Sequence, residues 1–262
     1  MNLYVQFIGG IGDILLAMMR PGAALGYFPA LKARGDITMI EAHVNADVSR
    51  VLFEDLPHVD HLRFRGYSQK FDTAPGVQFE RLKNWSGLPW VQPRLALQPW
   101  EKKIIADISV EPYVAVHAAA SLPEKVPPRT EELLAKLAEA RVRTVLVGVE
   151  PYDNDKAVKG NRTQGFRSVI AKYPQHIWLP PGLRLHIAAV QAARKFIGTL
   201  SCFNCAAQLA AVPSFVIVNR ALKEPKVYGM MAKNNAIIEP WNDVTSGPIE
   251  RIYRDAAEWA RR

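Results

Sequence analysis

The chain has 262 residues, 49% of them hydrophobic, and 33 basic against 25 acidic residues give a formal net charge of +8. That length holds one large domain or two modest ones, and the charge draws anionic ligands without dictating a fold. No stretch reaches the ~18–20 uncharged apolar residues of a membrane span, and no basic region leads into an apolar signal core, so the expectation is a soluble, cytoplasmic protein.

Residues 3–8 read as a buried strand, followed by the turn Gly9-Gly10-Ile11-Gly12 and a helical stretch from Asp13 to Arg34 that Pro21-Gly22 and Pro29 interrupt. Glycines let the backbone turn sharply and approach a ligand, while the first helical N–H groups favour negative charge. Phosphate, or an acceptor hydroxyl that Asp13 deprotonates, suits such a place, and helix capping is the other use of an acid there. Residues 37–40 read as a strand, 48–54 as a helix and 59–64 as a half-buried strand.

From Gly66 to Trp100 periodicity fades, and Pro75, Pro89, Pro93 and Pro99 arrive with Trp85, Trp90 and Trp100. Such a segment reads as a binding loop or an interdomain connection, with Trp85 and Trp90 either lining an acceptor pocket or simply packing. A second series follows: strand 113–117, helix 130–140 with Thr130 as N-cap and Glu131 and Glu132 in its first turn, strands 144–148 and 177–179, helix 185–194, strand 195–198, helix 203–211 and strand 214–218. In residues 248–262, Ile249, Ile252, Tyr253, Ala256 and Trp259 recur at helical spacing and give a helix one apolar face. Strands alternating with helices predict an α/β protein of two Rossmann-like domains with parallel sheets, residues 1–105 and 106–245, facing each other across a cleft, with a C-terminal helix in 246–262.

The order of these pieces resembles glycosyltransferase family 9, the ADP-heptose lipopolysaccharide heptosyltransferases and their relatives, which have GT-B architecture. Gly12-Asp13-Ile14-Leu15-Leu16-Ala17 resembles the family's opening Gly-Asp-Val-Val-Leu-Thr, and Phe28-Pro29-Ala30-Leu31-Lys32 its Pro-x-x-x-Leu-(Lys/Arg) helix. Val114-Ala115-Val116-His117 with Lys125-Val126-Pro127 is similar to the strand and Lys-x-Trp-Pro element of the donor half, and residues 178–185 to the Leu-x-Gly-x-x-Ser-Leu entry to the next helix. The run from Ile197 through Ala207 to Pro213 aligns without a gap with the family's Val-Gly-x-Asp-(Ser/Thr)-Gly-x-x-His-Leu-Ala-Ala segment ending in Pro.

The resemblance implies transfer of a sugar from a nucleotide-sugar to a hydroxyl acceptor, independent of metal and cofactor, with the last helix returning to the first domain. It places the catalytic base on Asp13 and the diphosphate-contacting lysine on Lys125, where a solvated loop lysine is the alternative. Donor contacts fall on Gly10, Gly12, Ala119, Ser121, Ser201, Cys202, Asn204 and Cys205, with Glu150 and Asp153 as alternatives for the ribose. The family's phosphate-binding Asp is Leu200 here, its Gly is Cys202 and its His is Cys205, so the donor is expected to differ from ADP-heptose. The first domain is also shorter than the family's, and the acceptor site differs accordingly.

Three other patterns compete. Cys202-Phe203-Asn204-Cys205 is a C-x-x-C at a helix start, where a thiolate pKa is lowered, yet a zinc site needs two more ligands. Asp153-Asn154-Asp155 mimics a metal-binding Asp-x-Asp and reads as a polar turn. Gly10-Ile11-Gly12 with Glu41 mimics a dinucleotide fingerprint, giving an NAD(P)-dependent oxidoreductase as one alternative function; a non-catalytic nucleotide-sugar or nucleic-acid binding protein is another. Arg63, Arg65, Arg81, Lys83 and Arg94 around the tryptophans suit a polyanionic acceptor, either a saccharide or a modified base in nucleic acid; a small saccharide is the plainer choice.

Overall fold

The computed structural model describes residues 2–7, 36–41, 61–64, 78–81, 97–117, 125, 127–148, 172–219, 231, 234–241 and 248–262. The chain divides into two compact units, Met1–Ala96 and Leu97–Arg262. In the first, β1 (Asn2–Phe7), β2 (Asp36–Glu41), β3 (His61–Phe64) and β4 (Gln78–Arg81) form a four-stranded sheet in the order β3-β2-β1-β4. Every pairing is parallel, with Leu3 opposite Ile37 and Gln78. β4 falls inside the segment that reads as irregular, because its sequence Gln-Phe-Glu-Arg carries a single apolar residue and no alternation.

The second unit holds α1 (Pro99–Ile108), β5 (Val114–His117), α2 (Thr130–Glu139), β6 (Thr144–Leu146), β7 (His176–Trp178), α3 (Leu183–Ala192), β8 (Lys195–Gly198), α4 (Cys202–Leu209), β9 (Ser214–Val218), β10 (Ile237–Pro240) and α5 (Ile249–Arg261). Its six strands are all parallel, in the order β10-β9-β8-β5-β6-β7. Parallel strands covered by helices are buried on both faces, which is why β5 and β9 read as continuous apolar runs and are buried along their whole length.

The compact units divide at 96/97, and α1 is tied into the second unit by a buried ion pair. Glu101 accepts from the Gln98 N–H at 2.7 Å in a capping box and from Arg184 Nε, at the start of α3, at 2.9 Å. The last helix packs on the core of the second unit. Ile252, Tyr253 and Ala256 of α5 join Leu133, Leu134 and Leu137 of α2 and Val114, Ile197 and Phe215 of the sheet in one core. Burying each large side chain there contributes ~1.5–3 kcal/mol, and the apolar stripe of α5 is used on this core. Tyr253 donates to the Pro128 carbonyl at 2.5 Å, and Lys195 donates to the Trp259 carbonyl at 2.5 Å while lying over the Trp259 ring.

The N-cap position of α2 is also one residue earlier than expected. Arg129, with φ of 53°, holds it without a side-chain cap, and its guanidinium pairs with Glu132 and Glu250 instead. Among the described residues, no helix is long and apolar enough to cross a membrane.

Candidate functional site

In the six-stranded sheet the chain runs outward from β5 in both directions, through β6 and β7 on one side and β8, β9 and β10 on the other. Connections from β5 and β8 therefore leave on opposite faces, opening a crevice at their carboxyl ends where doubly wound sheets bind ligands. Two pieces of sequence meet there: His117, the last residue of β5, and Gly198-Thr199-Leu200-Ser201, which leads from β8 into α4. The register sets His117 directly opposite Gly198.

His117 is 4% exposed, and its ring rests on Phe203 in the first turn of α4, with centroids 4.8 Å apart. Burial, reinforced by nearby His186, pushes its pKa down to about 3, so it is neutral at physiological pH. Gly148, just after β6, has φ of +67°, and a Cβ there would lie 2.3 Å from Phe203 Cε2 and 2.6 Å from His117 Cδ2. Only glycine fits that place. The Gly148 N–H donates to His186 Nδ1 at 2.8 Å, so His186 carries its proton on Nε2, which donates to the Pro180 carbonyl at 2.8 Å. Burial also lowers the His186 pKa. The loops after β6 and β7 are thus both pinned to His186 of α3.

The start of α4 follows its sequence. Ser201 is the N-cap, in extended conformation, and its Oγ accepts from the Asn204 N–H at 3.3 Å. Cys202 is half-buried at the first position of the helix. Burial nevertheless pushes this thiol up to about 12, opposite to the lowering expected of a C-x-x-C at a helix start. Neither cysteine is in a disulfide.

The remaining motif residues point elsewhere. Leu200, at the position of the family's phosphate-binding Asp, is 2% exposed and packs with Val216, Val218 and Met231 in a small separate cluster. Asn204 is fully buried; its Nδ2 donates to Met231 Sδ at 3.5 Å and its Oδ1 accepts from Gln208 Nε2 at 3.3 Å. Cys205 is 4% exposed. Asn204 and Cys205, expected as donor contacts, are buried, while Ser201 and Cys202 are half-buried. Lys125 is half-buried in a short turn between β5 and α2. Gly10, Gly12, Asp13, Trp85, Trp90, Ala119, Ser121, Glu150 and Asp153 lie outside the described residues. His117, Thr199 and Gly148 were not singled out in the sequence; the one signal was a histidine ending an otherwise apolar strand.

Comparison with solved structures gives full-length matches. E. coli ADP-heptose lps heptosyltransferase II aligns over 100% of this chain and 100% of its own, with a TM-score of 0.61 at 12% identity. A glycosyl transferase family 9 protein from Veillonella parvula aligns over 99% of this chain and 97% of its own, with a TM-score of 0.63 at 13% identity. The fold is GT-B. An E. coli heptosyltransferase solved with ADP, matching over 99% of this chain and 100% of its own at a TM-score of 0.58 and 10% identity, shares this GT-B fold. No protein-family model matches the sequence, and a search of curated proteins finds no match. The likeness to these solved structures is one of fold, at 10–13% identity, and extends along the whole chain.

Proposed function

We propose that the chain is a glycosyltransferase that moves a sugar from a nucleotide-sugar to a hydroxyl acceptor without a metal. The observation that carries this reading is the end-to-end match to E. coli heptosyltransferase II, which covers both chains completely. The second unit takes the donor at its switch point, with Ser201 and Lys125 toward the leaving diphosphate. The first unit serves the acceptor. Asp13, in the glycine turn, takes the proton from the acceptor hydroxyl as the oxygen attacks the anomeric carbon and the nucleoside diphosphate leaves. Leu200 packs among apolar side chains where the family has an acid, which supports a donor other than ADP-heptose.

Release of nucleoside diphosphate from a panel of nucleotide-sugars, in the presence of saccharide acceptors, tests this reading. Asp13→Asn should lower turnover by about 10²–10⁴-fold, while donor affinity stays within a few fold, because the base acts on the acceptor. Normal turnover by the variant would remove Asp13 from the mechanism, and activity abolished by EDTA would remove metal independence. Binding to duplex and single-stranded DNA across a salt series separates the acceptors: phosphate neutralisation requires affinity to fall steeply with salt.

A further inference from the structure

We propose that His186 is a proton-sensitive clasp: its neutral ring ties the chain leaving β6 to the turn leaving β7, and a proton on the ring releases Gly148 and with it the donor site, an inference that rests on the nucleotide-sugar reading of the second unit. His186 lies in α3 and is 1% exposed. Its Nδ1 accepts from the Gly148 N–H and its Nε2 donates to the Pro180 carbonyl, both at 2.8 Å. One tautomer of the neutral imidazole meets both demands, and the imidazolium, with a donor on each nitrogen, meets only the second. Protonation therefore sets a ring N–H against a peptide N–H in the interior, and that contact must open.

The identity of the partner makes this histidine different from its neighbour in the same unit. At His176 the partner of Nδ1 is the Thr144 hydroxyl, which rotates to accept when the ring is charged. A peptide N–H only donates, so Gly148 has to move. Its movement reaches the switch point, because Gly148 stands so close to the rings of His117 and Phe203 that a Cβ there would lie 2.3 Å from Phe203 Cε2 and 2.6 Å from His117 Cδ2. His117 ends β5 and Phe203 sits in the first turn of α4, the two elements that meet at the crevice.

The surroundings couple proton uptake to opening. Toward β5 the His186 ring has His117 as its neighbour, and toward α4 it has Phe203, with centroids 6.2 Å apart. On α3 itself, Arg184 stands two residues earlier and is paired at 2.9 Å with Glu101 of α1, whose carboxylate is thereby committed. Burial lowers the pKa of the clasped ring, whereas a released, hydrated ring returns to its ordinary 6.5. Below that value the open population rises by about tenfold per pH unit, until the clasped ring itself titrates.

Hydrogen exchange of the Gly148 amide in the ligand-free protein, followed by NMR from about pH 7.5 to about pH 5, reads the clasp directly. The Val114 amide, bonded to the Arg143 carbonyl at 3.0 Å within the sheet, reports global opening. Protection of Gly148 should fall by about tenfold per pH unit below the ordinary histidine pKa while Val114 stays better protected, and in His186→Asn, which keeps an acceptor near the Nδ1 position but does not titrate, it should stay level. Level protection in the wild type, a fall that matches Val114 in size and value, or an equal fall in His186→Asn would overturn the clasp; the first two outcomes need no variant. ADP-, UDP- and GDP-hexoses, whose diphosphate diesters keep their charge over this range, test the link to the site: one that binds, at about 100 times its Kd, should raise Gly148 protection by about a hundredfold. If one binds and leaves that protection unchanged, the coupling is overturned and the nucleotide-sugar reading stands. If none binds, that reading and the coupling fail together, and the ligand-free exchange still decides the clasp.

Discussion

Replacing Gly148 by alanine is the sharpest perturbation of the switch point. The new Cβ would stand 2.3 Å from Phe203 Cε2, 2.6 Å from His117 Cδ2 and 2.7 Å from His117 Nε2, on a residue with φ of +67°. These are ring atoms of two side chains stacked on each other, not the free ends of flexible chains, so the backbone must yield. The left-handed conformation costs an alanine ~1–2 kcal/mol, and overpacking adds ~1–3 kcal/mol. Together they remove about 2–5 kcal/mol, or about 5–15 °C of melting temperature for a unit of this size. Differential scanning calorimetry of Gly148→Ala reads that loss directly. In a Phe203→Leu background the nearest obstacle is gone, and the double variant should lose less than the two single losses added. An unchanged melting temperature in Gly148→Ala, or strict additivity with Phe203→Leu, would show that these contacts do not hold the site together.

Acid should destabilise the second unit. His117 is held at about 3, below its ordinary 6.5, so its contribution is complete above pH 6.5 and is lost as pH falls toward 3. At pH 5 that loss is about 2 kcal/mol, and His176 and His186, also lowered by burial, act in the same direction. Urea midpoints should therefore fall between pH 7 and pH 5, and a constant midpoint would contradict the buried, neutral state. Ser201→Ala should cost about 1 kcal/mol of stability, because its Oγ caps α4 by accepting from the Asn204 N–H; an unchanged melting temperature would contradict the cap.

The central strands were legible because parallel strands buried on both faces leave continuous apolar runs: residues 195–198 and 214–218 match β8 and β9 residue for residue. β10 escaped, since it is a short edge strand ending in Pro240, where the lost N–H costs the ladder nothing. α1 escaped because Pro99 and Trp100 look like loop, whereas proline at a helix start is favourable and Glu101 closes a capping box. Of the candidate site, Ser201 and the helix it caps were legible as local structure. The packing of His117, Gly148 and Phe203 was not, because these residues become neighbours only through the strand order. Nor does position in a motif reveal that Leu200 and Asn204 are buried.

Titration of the protein with ADP-, UDP- and GDP-sugars and with NAD and NADP tests the central claim most directly. The account predicts saturable binding of at least one nucleotide-sugar, with no comparable binding of either dinucleotide. Saturable binding of NAD or NADP with no response to any nucleotide-sugar would contradict it and make the chain an oxidoreductase on the same fold.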